Sequence, residues 1–153
     1  MVMAEELIST GRAGGAFRDE GAVGSLPGVL IVDDDDAVRD MLHDLIVRTG
    51  RFTVAGEARD GRDAVEAAGR LRPAAVILDH QMPGMTGLEA LPALRRCAPD
   101  AVVVMLSGSA GADFERLAAE AGAHAFFRKG TRMFELVTLL RSLVDARAGA
   151  VAG

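Results

Sequence analysis

The chain has 153 residues, half of them hydrophobic, and 22 acidic against 17 basic side chains give a net charge of −5. That length and apolar content suffice for one domain with a sizeable core, and the acidic balance argues against a broad phosphate-binding surface for nucleic acid. Apolar runs stay far below the roughly 20 residues that span a bilayer, and residues 1–28 lack an apolar core behind a basic start, so a cytoplasmic protein without membrane contact is expected.

Residues 1–27 include Gly11, Gly14, Gly15, Gly21, Gly24 and Pro27, a density whose entropy cost opposes packing. They are expected to form a flexible Gly-rich extension, with room for a short helix over Val2–Ile8. One folded domain is expected over residues 28–147, followed by a short tail, 148–153.

Within that domain, short apolar runs alternate with segments of helical period, the pattern of a parallel sheet built from βα units. The first strand is Val29–Asp33. Its helix carries Val38, Met41, Leu42, Leu45 and Ile46 at i, i+3, i+4, i+7 and i+8, and Gly50 ends it. Phe52–Ala58 reads as the second strand and Gly61–Leu71 as the second helix, stopped before Pro73. Ala74–Asp79 is the third strand. Thr86 can cap a third helix bearing Leu88, Leu91 and Leu94, which Pro92 is expected to shorten or kink. Cys97, the single cysteine, allows no disulfide and reads as a small hydrophobe of that helix. Ala101–Leu106 is β-branched and uniformly apolar, as a doubly covered central strand requires. Ala112–Ala121 is a helix closed by Gly122. His124–Arg128 is the last strand, and Met133–Ala146 the last helix, with Phe134, Val137, Leu140 and Val144 on its buried side.

Four acids, Asp33 to Asp36, follow the first strand and a fifth, Asp79, ends the third. Carboxylates crowded at the ends of buried strands repel one another unless protons or a cation relieve them. In open parallel sheets the carboxyl ends of the strands form the ligand site, so Asp33, Asp34, Asp79, Ser107 and Lys129 are expected to converge. Oxygen ligands suit a hard cation such as Mg²⁺ (or Mn²⁺). An aspartate there can also serve as nucleophile toward a phosphoryl group, with an ammonium and a hydroxyl stabilising the phosphoryl oxygens.

The segments Ile31-Val32-Asp33-Asp34-Asp35, Leu78-Asp79-His80-Gln81-Met82-Pro83-Gly84, Met105-Leu106-Ser107-Gly108 and Phe127-Arg128-Lys129 together resemble the receiver domain of two-component response regulators. The resemblance covers Gly28 to about Arg147. It implies a flavodoxin-like doubly wound α/β fold, five parallel strands with five helices in three αβα layers. It further implies a phosphorylation switch rather than an enzyme. Asp79 would be the phosphoacceptor; Asp33, Asp34, Asp79 and the Gln81 backbone carbonyl would hold Mg²⁺. Ser107 would be the switch hydroxyl, Lys129 the phosphate counterion and Phe126 the switch aromatic. The donor implied is a phosphohistidine on a histidine kinase or histidine phosphotransfer protein. The implied output is contact with a protein target, or self-dimerisation, through the face from the fourth to the fifth helix; only a few residues follow the last helix, so no direct DNA-binding output is expected unless the chain is a fragment of a longer protein. Where the family commonly has proline after the lysine this chain has Gly130, which implies a looser loop or a trans bond there. Gln81 and Ser109 stand where the family tunes loss of the phosphoryl group.

Other readings of these residues compete. Asp35 or Asp36 can simply cap a helix. His43 and His80 read as solvated, and His124 as the start of a strand. Asp33, Asp35, Ser107 and Lys129 also mimic haloacid-dehalogenase-type phosphatases, in which Asp33 would be the nucleophile and Asp79 would have no purpose. A third reading is a receiver-shaped binding module that takes no phosphate.

Overall fold

The computed structural model describes residues 25–108, 111–130 and 132–152. The Val2–Ile8 helix, most of the expected extension and Ser109 lie outside the described residues. In chain order the elements are β1 (Gly28–Val32), α1 (Asp36–Thr49), β2 (Thr53–Ala58), α2 (Gly61–Leu71), β3 (Ala75–Asp79), α3 (Gly87–Cys97), β4 (Val102–Ser107), α4 (Ala112–Ala121), β5 (Ala125–Arg128) and α5 (Met133–Ala152). The strands are all parallel, in the order β2-β1-β3-β4-β5. This is the expected flavodoxin-like sheet, and its strand order reverses between β1 and β3, where a crevice opens at the carboxyl ends.

The two faces of the sheet bury separate sets of side chains because successive strand residues point to opposite sides. Leu30, Val32, Val76, Leu78, Val103 and Met105 pack with Ala64, Ala68, Leu91, Leu94 and Ala118 of α2, α3 and α4. Val29, Ile31, Ile77, Val104 and Leu106 pack with Leu42, Ile46, Leu136, Val137 and Leu140 of α1 and α5. Each large aliphatic side chain so buried contributes about 1.5–3 kcal/mol. Along β3 and β4 every residue is buried, as the doubly covered reading of β4 requires.

The helix ends follow their capping residues. Asp35 accepts a hydrogen bond from the Ala37 amide, Asp60 from Asp63, and Thr86 with Glu89 forms a reciprocal capping box. Gly50 and Gly122 close α1 and α4 in the left-handed conformation.

Several local expectations are corrected. Helix α3 is not shortened at Pro92 but continues to Cys97, held at its start by the capping box. Helix α5 runs past Ala146 to Ala152. Phe134 is 60 % exposed, and Leu136 is buried instead, because the core-facing stripe of α5 passes through Met133, Leu136, Val137 and Leu140. Met41 is exposed and Arg39 is buried, since the inner stripe of α1 runs through Arg39, Leu42 and Ile46. Cys97 is an exposed thiol rather than a packed hydrophobe.

Candidate functional site

Strand pairing places the acids. Val32 is opposite Leu78 in the β1–β3 ladder, so Asp33 and Asp79 emerge side by side at the switch point. Asp79 is in turn opposite Leu106, which sets Ser107 one residue beyond on β4. Asp33, Asp79 and Ser107 are all buried, each at most 1 % exposed, while Asp34 is exposed. The Lys129 amide donates to the Ser107 carbonyl (2.8 Å), which brings the end of β5 to the same pocket. Lys129 Nζ then lies 3.0 Å from both Asp33 Oδ2 and Asp79 Oδ1. The expected convergence of Asp33, Asp34, Asp79, Ser107 and Lys129 is therefore present.

The backbone of the pocket is tied at several points. The Asp33 amide donates to the Ala58 carbonyl (3.1 Å), and Asp33 Oδ1 accepts from the Asp35 amide (2.9 Å). The His80 amide donates to the Leu106 carbonyl (2.9 Å), and the Gly87 amide to the His80 carbonyl (2.8 Å). Gly87 is needed for this close approach, since a Cβ at that position would stand 2.3 Å from the Asp79 carbonyl oxygen. The loop after Lys129 is set by Gly130 at φ +85° through a trans bond, a conformation closed to the proline ring the family commonly carries there.

Burial and the arrangement of charge disfavour an ionised Asp79. Burial pushes its pKa up, the Lys129 ammonium pulls it down, Asp33 pushes it up again and the Gln81 amide lowers it, for a result of about 6. Burial lowers the Lys129 pKa, but Asp79 and Asp33 outweigh it and hold the ammonium above its ordinary value. Although the Gln81 amide is near, neither Asp79 oxygen nor Asp33 Oδ2 receives a well-directed hydrogen bond, and all three atoms are buried. Asp33, Asp34 and Asp79 each bring one carboxylate oxygen within 4.8 Å of the others. Buried oxygens short of donors, in an all-carboxylate set, fit a hard divalent cation.

Sequence reasoning missed the groups around this core. Arg39 is 8 % exposed and its guanidinium Nη1 donates to the Asp33 carbonyl (2.7 Å), Nε to Glu57 Oε1 (3.2 Å) and Nη2 to Asp36. The available signal was position, because Arg39 precedes Leu42 by three residues and Ile46 by seven. His43 is not merely solvated but pairs with Glu57 through Nδ1 (2.9 Å). His80 does not point to solvent: its ring packs on Phe114 of α4 (centroids 4.3 Å), and burial lowers its pKa. Phe114 in turn meets Phe126 edge to face at 5.6 Å, so the Asp79 loop touches the expected switch aromatic through one intervening ring. His124 precedes β5 and its Nδ1 accepts from the Val103 amide (3.0 Å). Asp35, which the phosphatase reading pairs with Asp33, is spent as the cap of α1, and Asp36 pairs with Arg39 instead of capping.

The family model of the response regulator receiver domain matches residues 29–141. The chain is 36 % identical to the chemotaxis protein CheY of Thermotoga maritima over 115 residues, 75 % of this chain and 95 % of that protein. It is 35 % identical to the response regulator GacA of Pseudomonas aeruginosa over 115 residues, 75 % of this chain and 54 % of that protein. The chain thus spans about half the length of the GacA relatives it matches. Among solved structures it resembles a LuxR-family two-component response regulator from Aurantimonas (TM-score 0.75, 29 % identity, covering 80 % of this chain and 88 % of that one). It also resembles the CheX–CheY–BeF3–Mg²⁺ complex from Borrelia burgdorferi (TM-score 0.67, 26 % identity, 86 % and 93 % covered). With the family model spanning all five strands and a relative 36 % identical over nearly its whole length, the chain belongs to the response regulator receiver domain family, phosphoaspartate-accepting signalling modules rather than catalytic enzymes.

Proposed function

We propose that Asp79 receives a phosphoryl group from the phosphohistidine of a histidine kinase or histidine phosphotransfer protein, and that the chain signals by protein contact. The observation that carries this is the single Lys129 ammonium 3.0 Å from both buried carboxylates, Asp33 and Asp79, with the exposed Asp34 beside them. In the transfer an Asp79 oxygen attacks phosphorus, the P–N bond breaks and its electron pair returns to the donor imidazole. With a pKa near 6 Asp79 is mostly ionised at neutral pH and ready to attack. Lys129 then exchanges a carboxylate partner for a phosphoryl oxygen, and the Ser107 hydroxyl donates to another. Asp33, Asp34, Asp79 and the Gln81 carbonyl would hold Mg²⁺ (or Mn²⁺), which supplies charge neutralisation at the phosphoryl oxygens. The likeness to a receiver captured with BeF3 and Mg²⁺ supports that assignment.

The output follows from what touches the pocket. Ser107 and Phe126 act as the switch, and the α4–β5–α5 face, which exposes Leu117 and Phe134, is where a protein target or a second copy docks. Phosphorylation shifts the population toward an active state already present. No helix among the described residues is long and apolar enough to cross a membrane.

Intact-protein mass spectrometry after incubation with acetyl phosphate tests the reading. One Mg²⁺-dependent phosphoryl adduct is expected, eliminated by Asp79→Asn and only weakened by Asp33→Asn. An adduct carried by Asp33 would restore the phosphatase reading, and no adduct under any condition would favour the phosphorylation-independent module.

A further inference from the structure

Helix α1 buries an arginine where an aliphatic side chain would complete its inner stripe with Leu42 and Ile46. A buried guanidinium is costly unless its donors are matched, and here they are matched in three directions. Nη1 holds the Asp33 carbonyl at 2.7 Å, Nε holds Glu57 of β2 at 3.2 Å and Nη2 holds Asp36. Glu57 is itself fixed by His43 at 2.9 Å. The planar fork therefore ties the turn after β1 to both α1 and β2. That turn carries Asp33 and Asp34, and among the described residues no hydrogen bond holds the Asp34 side chain. Its position depends on the backbone behind it.

We propose that Arg39 is a positioning residue of the acidic pocket: by clamping the Asp33 carbonyl against Glu57 and Asp36 it sets the angle at which Asp33 and Asp34 present their carboxylates to a divalent cation. This rests on the cation reading of the pocket under the proposed function. The opposite role is physically distinct. If Arg39 mattered only as a nearby positive charge it would repel the cation, and removing it would tighten binding. If it positions, removing it loosens binding. A lysine keeps the charge but loses the fork.

The test is a Mg²⁺ titration of wild type, Arg39→Met and Arg39→Lys at fixed pH by isothermal calorimetry, with the melting temperature of each measured without Mg²⁺. Loss of ligand-orienting contacts typically weakens metal affinity about 10–100-fold, and a weakening of at least about tenfold is expected in both variants. The lysine variant decides alone if the methionine variant does not fold. Wild-type affinity in the folded variants, with only the melting temperature lowered, would make Arg39 a purely structural group and overturn the inference. Tighter binding in Arg39→Met would overturn it in favour of the charge effect. A wild type that takes up no Mg²⁺ removes the cation reading itself and this inference with it.

Discussion

Leu78 and Asp79 are neighbours on β3, both at most 1 % exposed, yet they stand in opposite regimes. Leu78 and the residues before it lie in the sheet interior, where each side chain meets others of its kind and burial stabilises the fold. Asp79 lies at the sheet's carboxyl edge, where burial destabilises the charge it must carry and one lysine serves two carboxylates. The opposite edge sharpens the contrast. It too has a concavity, of about 380 Å³ lined by Arg72, Asp100 and Arg147 among others, but its one carboxylate, Asp100, is exposed and pairs with Arg147 at 3.1 Å. Unrelieved buried charge, and not concavity, marks the functional end.

The largest expected effect breaks the interior. Ile77→Ala should cost about 2–5 kcal/mol by leaving a cavity in β3, read as a lower urea midpoint at unchanged slope. That loss should be the same at pH 5 and pH 8, since no titrating group is touched. A strongly pH-dependent loss would mean that interior and edge are not separate regimes.

Asp79→Asn probes the edge and should have the opposite sign. The folded pKa of about 6 exceeds the ordinary carboxylate value, so the native state binds more protons than the unfolded chain between about pH 4 and 6. Wild-type stability should therefore fall as pH rises through that window and stay reduced above it, by at most about 3 kcal/mol. The asparagine variant should flatten that slope and be the more stable protein at pH 8 without Mg²⁺, measured by urea titration across pH. An unchanged pH profile would show that Asp79 is not destabilised in the fold.

The smallest effect sharpens the border between the two regions. Gly87→Ala places a Cβ 2.3 Å from the Asp79 carbonyl oxygen, which forces α3 away from β3 at a typical overpacking cost of about 1–3 kcal/mol. Because that carbonyl belongs to the acceptor residue, the rate of adduct formation with acetyl phosphate should fall as well. Reduced stability with an unaltered rate would show that the acceptor's backbone position is not critical.

Much of the site is legible in the amino-acid order, for a local reason. An acid that directly follows an apolar, β-branched run must emerge at the carboxyl end of a strand, so Asp33 and Asp79 can be placed by counting along the chain. Helix faces are less secure. Counting apolar residues puts Met41 and Phe134 inside, where the packed helices turn Arg39 and Leu136 inward instead. Hydrophobicity alone cannot select an arginine for a buried position, since its cost is offset largely by partners outside α1, the Asp33 carbonyl and Glu57.

What the sequence determined by itself was the order and type of elements, the strand ends that bear the acids, and the caps that bound most helices, because each depends on residues within a few positions of one another. The tertiary structure alone decided which charges meet. Lys129 reaches Asp33 and Asp79, Arg39 reaches Glu57, and His80 finds Phe114 across separations that strand order and helix rotation set. Those pairings arise only when the sheet assembles, and they convert a row of aspartates into a pocket where the Asp79 carboxyl is raised in pKa and one ammonium is shared.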